Sequence, residues 1–243
     1  MIEAATEFRK NSFNDQDSAT LAKVATVYQN VADEAISAGD SASFIISQMK
    51  AFNIASQNAQ HIIDAVNETS NRFAVSSADV ASALTKTSSA MGVLGNDFNQ
   101  TIGLVVAGTE ILTGQASKVA RGLRTIGNNF ANAATEAGSI SYQVDGVTKS
   151  LSLLDSTTGD MKSTFQIFND LKGSWDKMTN AEKQALAIAY AGKNQFEVFA
   201  AVMDNFKTAI NATATAVNSA GSAARENEAY MGSLSKMGFY KQA

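Results

Sequence analysis

The sequence contains no cysteine and no proline, and it has only one histidine. A chain without cysteine forms no disulfide and offers no thiolate ligand to a metal ion. Average usage of about 5% would give a chain of this length roughly a dozen prolines. Because each proline inside a helix costs about 3 kcal/mol, their absence favours long, uninterrupted helices.

Charge and apolar runs argue against two further classes of protein. The 19 basic and 23 acidic residues are interspersed and lack the basic stripe of a nucleic-acid-binding surface. The longest nearly apolar run, Ile102 to Gly108, is far shorter than the 18 or so residues that a membrane helix needs. The first residues lead directly into polar sequence, unlike a signal peptide. We therefore expect neither sequence-specific nucleic-acid binding nor a membrane segment in this region.

Alanine is the residue that the chain has in excess. It occurs 41 times, so much of the 45% hydrophobic content consists of small side chains. Small side chains allow helices to pack closely, but they bury less area per residue than leucine or isoleucine. The composition predicts extended helical packing rather than one thick globular core.

Residues 76–130 predict three consecutive amphipathic helices. Ser76 and Asp79 have the spacing of a capping box, Asn96-Asp97 begins the second helix, and Gly114 precedes the third. Large or apolar residues recur alternately four and three positions apart, so each set falls on one helix face. These residues are Val80, Leu84, Thr87, Met91 and Leu94; Phe98, Ile102, Val105, Thr109 and Leu112; and Ala116, Val119, Leu123, Ile126 and Phe130. The predicted helix stops are Gly92, Gly95, Gly114 and Gly138.

Longer helices are predicted on either side of this block. Residues 41–73 keep a 3.5-residue period, and about 33 residues would extend about 50 Å. A shorter helix over residues 18–38, ended by Gly39, precedes them. Residues 194–236 keep the same spacing, but beyond Ile210 the inward positions are mostly small. We expect this last helix to pack on a partner chain or another helix, or to fray.

At about residues 140–152, the spacing of the apolar residues changes to every second position. This two-residue period predicts a β-hairpin. Asp145-Gly146 is a strong two-residue turn, because both positions tolerate positive φ. The predicted cross-strand pairs are Val144 with Val147, Tyr142 with Lys149, and Ile140 with Leu151. A lone hairpin is barely stable in water, so its apolar face should rest on helices.

Two segments resemble the core region of phage tail tape measure proteins. They are IGLVVAGTEILTGQASKVARGLRTIGNNF (Ile102 to Phe130) and WDKMTNAEKQALAIAYAGKNQFEVFAAVMDNF (Trp175 to Phe206). The resemblance covers roughly residues 40–235. It lies in the order of the blocks: a helical block, a short strand-like piece, a Trp-led helix, an Ala-Gly break and a long C-terminal helix.

The resemblance implies a structural virion protein that helps to set tail length and leaves the tail tube with the genome. The implied partners are other copies of the chain, the tail tube protein, tail assembly chaperones and distal tail proteins, with no small-molecule substrate. The implied location is the lumen of the virion tail tube, after synthesis in the host cytoplasm. Such proteins often carry apolar spanning segments elsewhere, so the resemblance also implies one region of a longer protein.

The expected fold is mainly α, an elongated multi-helix bundle with one small β-hairpin. We expect an N-terminal helical arm over residues 1–39, a helical core with the hairpin over residues 40–192, and a long C-terminal helix over residues 193–243. Packing within a bundle is favoured over an isolated coiled coil, because two serines interrupt the seam of residues 41–73.

No group of residues predicts catalysis, a cofactor or a metal site. His61 has no histidine or cysteine partner to share a metal ion, and no serine stands in the context of a nucleophile. Gly108 to Gln115 resembles a phosphate loop, but five residues separate its glycines and glutamine replaces the required lysine. Trp175, Phe165 and Phe168 fit a core cluster better than a docking site. We therefore expect no enzyme and no cofactor.

Three basic residues on the third short helix are the candidate site. Lys118, Arg121 and Arg124 are spaced by three residues, and the first two share a side away from Leu123 and Ile126. The alternatives are a solubilising face, a contact with an acidic strip of another subunit, and a phosphate contact.

Two other functions are open. One is a helical adaptor or secreted bundle of another filamentous assembly, because low charge and Ala/Ser/Asn-rich helices are common there. The other is a lytic module, although no acidic residue lies in a credible catalytic context. Flanking genes would separate these readings, since tail genes favour a tape measure and flagellar or secretion genes favour an adaptor.

Overall fold

The computed structural model describes residues 1–236, with side chains to residue 233. Within this range the chain is mainly α-helical with a single two-stranded sheet, which confirms the predicted fold class. The described α-helices are α1 (Ile2–Lys10), α2 (Asp15–Val31), α3 (Ala38–Phe52), α4 (Gln60–Arg72), α5 (Ser77–Val93), α6 (Phe98–Ile111), α7 (Ala116–Ala137), α8 (Thr164–Trp175), α9 (Asn180–Ala191), α10 (Phe196–Asp204), α11 (Phe206–Val217) and α12 (Ser222–Lys236). The strands are β1 (Ser139–Val144) and β2 (Val147–Ser152), and a 3₁₀ turn (Ser56–Asn58) precedes α4.

One hydrophobic cluster extends from Ala4 in α1 to Ala223 in α12. Helix α6 lies at its centre, because 10 of its 14 residues are buried. A helix that is apolar on all sides belongs in a core, and α6 contacts α5, α7, α10 and α11. Helices α3 and α5 connect α1 and α2 to this centre, whereas α7 connects it to α9 and the hairpin.

Glycines inside helices allow the closest crossings. A side chain at Gly103 would collide with the backbone of α11, and one at Gly122 would collide with Val198 of α10. Gly92 was predicted as a helix stop but lies inside α5, where it faces the carbonyl oxygen of Ala51. Close packing against a neighbouring helix therefore explains these positions better than helix termination.

The three helices predicted over residues 76–130 are confirmed as α5, α6 and α7. The Ser76 hydroxyl accepts the backbone N–H of Asp79 at 3.0 Å. Asp97 caps α6 in a reciprocal capping box with Gln100. The predicted stops that adopt positive φ are Gly95, Gly114 and Gly138.

The continuous helix predicted over residues 41–73 is wrong. Helix α3 begins earlier, after its cap Ser37, and ends at Phe52, whereas α4 begins only at Gln60. Asn53 adopts the left-handed conformation (φ 52°, ψ 44°), which a short polar side chain tolerates. The apolar period continues across this break, so periodicity alone could not reveal it.

The arm predicted over residues 1–39 packs into the shared core, where α1 buries Phe8. The helix predicted over residues 18–38 ends at Val31, and Gly39 lies in the first turn of α3 rather than at a helix end. The three-part domain division stays a prediction.

The single C-terminal helix predicted over residues 193–243 is, in its described part, divided into α10, α11 and α12. The Asn205 carboxamide donates to Glu110 of α6 at 2.8 Å, so a distant partner fixes the first break. A short turn ending at Gly221 (φ 76°) makes the second break. Residues 237–243 of the predicted helix lie outside the described residues.

The hairpin has the predicted register. The confirmed pairs are Ile140 with Leu151, Tyr142 with Lys149, and Val144 with Val147. Asp145 and Gly146 have φ of 51° and 74°, as a turn with two left-handed residues requires. Strand β1 rests on α7 and α9, and this contact buries Ile140 and Val144.

Candidate interaction surface

A cavity of about 940 Å³ lies where the α3–α4, α5–α6 and α11–α12 connections meet. His61 lines it, and its Nε2 is hydrogen-bonded to Asn99 Oδ1 at 2.8 Å. The imidazole also packs edge-on against Phe98, with ring centroids 6.0 Å apart. His61 is therefore a packing residue with a neutral polar partner.

Asp64 lines the same cavity, but its carboxylate is already bonded. It accepts the backbone N–H groups of Gly221 at 2.9 Å and Ala223 at 3.0 Å. Within the described residues, no group of three or more His, Cys, Asp or Glu side chains could hold a metal ion. The His61 and Asp64 side chains are therefore engaged in hydrogen bonds that stabilise the fold. They do not form a free acid–base pair in the cavity.

Groups with shifted pKa values are spread over the fold. Burial raises the pKa of Tyr28 in α2 and of Tyr190 in α9. The Ser222 hydroxyl lowers the pKa of Glu68 in α4, and the backbone N–H of Gly146 lowers that of Glu182 in α9. Catalytic sites bring groups with shifted pKa values together in one cleft. Here each pKa shift has its own local cause, and the groups lie in different parts of the fold.

The aromatic cluster predicted around Trp175 is part of the core. Trp175 is fully buried, and its Nε1 donates to Asp204 Oδ1 at 2.7 Å. Phe168 and Phe199 pack with ring centroids 5.1 Å apart, while Phe165 is partly buried. The cluster packs within the core and joins α8 to α10.

The structure separates the three predicted basic residues of α7. Lys118 forms an ion pair with Glu197 of α10, so its charge has a partner in the same chain. Arg121 and Arg124 are exposed and form no ion pair or side-chain hydrogen bond with any described residue. The side chains of the other arginines are bonded: Arg9 to Asp15, Arg72 to Glu68, and Arg225 to the Ala220 carbonyl.

Arg121 and Arg124 begin an exposed polar line along α7, which we call the α7 stripe. Its members are Arg121, Arg124, Asn128, Asn132 and Thr135. They are spaced three or four residues apart, so they share one side of the helix. The spacing of the stripe residues can be recognised in the sequence. The ion-pair partner of Lys118 cannot, because Glu197 lies 79 residues further along the chain.

A protein-family model described as "Phage-related minor tail protein" matches residues 1–192. The chain belongs to this family. The match covers α1 to α9 and therefore includes the α7 stripe. This minor tail protein has a structural role in a phage tail and is located in the virion tail. No solved structure matches it. Among the helices of residues 1–236, none is both long and apolar enough to cross a membrane.

Proposed function

We propose that this minor tail protein is a region of a tail tape measure protein, which sets tail length during assembly and is released with genome ejection. The family match supports a phage tail component. The observation that carries the finer proposal is the order of blocks from Ile102 to Phe130 and from Trp175 to Phe206, which resembles the tape measure core. These blocks form α6–α7 and the segment from the end of α8 through α10, around the buried centre of the fold.

The physical basis of length setting is the constant rise of a helix. An α-helix adds 1.5 Å per residue, so a helical rod converts gene length into physical length. The proline-free sequence supports such helices in this region. Residues 1–236 then form a packed module attached to, or lying within, the rod of a longer parent protein.

We place the module in the lumen of the tail tube, where it acts without catalysis. The bonded state of His61 and Asp64 supports a scaffold role. The proposed partners are other copies of this chain, the tail tube protein, tail assembly chaperones and distal tail proteins. The family match favours this reading over an adaptor or secreted bundle of another assembly.

Virions before and after genome ejection test this proposal. Intact tails should contain the chain and protect it from added protease, because the tube encloses it. Emptied tails should lack it, as measured by quantitative mass spectrometry of its peptides, with the tube protein as the internal control. A chain that protease degrades in intact tails, or that stays in emptied tails at its original amount, would contradict the proposal.

We also propose the α7 stripe as an inter-subunit contact. Arg121 and Arg124 reach solvent unpaired, and guanidinium groups bind carboxylates in a fixed geometry. Lys118 is the third residue predicted for this contact. It lies at the edge of the proposed contact and keeps its ion pair with Glu197. An acidic strip on a neighbouring copy is the proposed partner.

A further inference from the structure

Helix α12 is attached to the rest of the fold mainly by hydrogen bonds. Of its side chains that the structure describes, in residues 222–233, only Ser222 and Ala223 are buried. Helix α11, by contrast, buries Phe206 and three alanines. Burial of apolar surface is the main source of folding stability. The described part of α12 therefore gains little of this stabilisation from its contact with α2 and α4.

The first turn of α12 is held by acidic side chains of α4. Asp64 accepts the backbone N–H groups of Gly221 at 2.9 Å and Ala223 at 3.0 Å. The Ser222 hydroxyl donates to Glu68 Oε2 at 2.6 Å. A helix N-terminus carries unpaired N–H groups and partial positive charge, so these carboxylates complement it.

Carboxamides of α2 and α4 continue the attachment along α12. Asn67 Nδ2 donates to Glu226 Oε2 at 2.9 Å, and Asn71 Nδ2 donates to the same oxygen at 2.8 Å. Asn30 Nδ2 of α2 donates to Asn227 Oδ1 at 2.7 Å. Water offers equivalent partners to all of these groups, so each bond contributes only modestly to the free energy of attachment.

The neighbours of α12 also have hydrogen-bond partners of their own. Asp64 accepts Gln60 Nε2 at 3.1 Å, and Glu68 forms an ion pair with Arg72 of the same helix. At the end of α11, the Asn218 carboxamide donates to a carbonyl oxygen of its own helix at 2.8 Å. Detachment of α12 therefore leaves α4 and the end of α11 with internal bonds intact.

We propose that α12 is a strap that detaches from α2 and α4 as one unit while α1 to α11 and the hairpin stay folded. Elements with few buried apolar contacts open locally, at a lower free energy than global unfolding. Opening uncovers the carboxylates of Asp64 and Glu68 together with Asn67. The strap therefore controls access to an acidic face of α4. This device is a property of the purified chain and does not depend on the tail-length proposal.

Hydrogen–deuterium exchange of the full-length chain, followed by mass spectrometry, measures this opening. After correction for intrinsic exchange rates, we expect the amides of α12 to be protected about a hundredfold less than those of α6, at the centre of the core. The amides of α11 should stay close to those of α6, because α11 packs along α6. Equal protection of α12 and α6 would overturn the strap.

Asn30→Ala tests whether α12 opens as one unit. The variant removes the bond to Asn227, and loss of one hydrogen bond should lower protection about two- to tenfold. Opening as a unit predicts the same loss in the first turn of α12 and around Asn227, with no loss in α6 or α11. Asn132→Ala is the matched control, because Asn132 is an exposed helical asparagine whose side chain bonds no described residue.

A locked chain supplies the opposite change. The sequence has no cysteine, so Asn30→Cys combined with Asn227→Cys can be joined within one chain by a short bis-maleimide. We expect the crosslink to raise the protection of all of α12 towards that of α6. The uncrosslinked double variant is the control.

Three further results would overturn the proposal. One is a loss confined to the amides around Asn227 in Asn30→Ala, which would mean fraying. The second is an equal loss in α6 and α11, which would mean global unfolding. The third is a crosslink that leaves the protection of α12 unchanged, because α12 would then exchange without leaving α2.

Discussion

Arg121 and Arg124 differ from the other arginines of this minor tail protein because no residue in the described range 1–236 partners their side chains. Exposed charges contribute about 0–1 kcal/mol to folding, so their replacement should leave the fold intact. Reversing the charge of a residue that meets an acidic strip introduces repulsion at the interface. A solubilising role and a contact with an acidic strip of another subunit, two of the three alternatives, therefore predict different phenotypes.

We expect Arg121→Glu combined with Arg124→Glu to lower the yield of assembled tails at least tenfold. The unfolding midpoint of the purified double variant should stay within about 2 °C of the parent, since surface changes usually cost less than about 0.5 kcal/mol. Tail yield by electron microscopy and thermal unfolding are the measurements. Lys149→Glu combined with Lys177→Glu makes the same charge change at exposed lysines that form no ion pair among the described residues, and this variant should assemble normally. Equal yields from both double variants would assign Arg121 and Arg124 to solubility alone.

Glu182 connects the hairpin turn to the start of α9. Its carboxylate accepts the N–H of Gly146 at 2.9 Å and that of Thr179 at 2.9 Å. These bonds hold its pKa below the ordinary value of 4.5. A depressed folded pKa gives stability that is present above about pH 4.5 and is lost as pH falls through the folded pKa.

We therefore expect Glu182→Gln to be less stable than the parent at pH 7 and at pH 5, and the difference to shrink as the pH falls below 4.5 through the folded pKa. Urea unfolding at each pH measures this difference. Glu228→Gln, on an exposed side chain of α12, is the control and should show no such trend. A difference that grows on acidification would mean that Glu182 is bonded in another way.

Among the elements, the crossing of α6 and α11 depends on the absence of a side chain at Gly103. A β-carbon there would come well inside contact distance of the Thr213 hydroxyl and the Ala209 carbonyl oxygen. Both atoms belong to a packed helix and cannot move aside alone. Overpacking of this kind typically costs 1–3 kcal/mol, although alanine is the better helix former.

We expect Gly103→Ala to lower the unfolding temperature by several degrees, at roughly 2–4 °C per kcal/mol for a chain of this size. Gly173→Ala is the matched control, because Gly173 also lies inside a helix but has nothing within 4 Å. The control should raise the unfolding temperature slightly, through helix propensity alone. If both variants were equally stable, α6 and α11 would not cross as closely as the structure shows.

Elements whose causes are local could be predicted from the sequence. The hairpin register follows from Asp145-Gly146, and the starts of α5 and α6 follow from capping residues within three positions of each other. The breaks at Asn53 and Asn205 could not be predicted, because periodicity continues across the first and a partner on α6 fixes the second. Long-range bonds, such as Asp64 with Gly221, leave no local signal.

The same limit applies to the candidate surface. Arg121 and Arg124 could be predicted from the sequence to lie side by side, because residues three positions apart are neighbours on the surface of a helix. The pairing of Lys118 with Glu197 required the tertiary fold, which brings α10 against α7. The sequence could therefore indicate which residues are charged and on which helix, but not which of them the fold has already neutralised.

At the scale of the whole molecule, a deletion has different consequences for a tail in a packed helical module and in a uniform helical rod. A packed module loses its core when an element is removed, whereas a uniform rod only becomes shorter. Removing α6 would take away 10 buried residues at the centre of the hydrophobic cluster. We expect that deletion to abolish tails, as counted by electron microscopy, rather than to shorten them. Shortened but intact tails from this deletion would show that α6 belongs to the rod.

Tail length against gene length is the most direct test of the central proposal. A graded series of in-frame deletions and duplications would be made in the rod of the parent gene, outside the module, and the tails would be measured by electron microscopy. We predict a straight line with a slope of about 1.5 Å per residue in both directions, because each residue adds one helical rise. Tails of constant length across the series would contradict the proposal that this minor tail protein belongs to a molecular ruler.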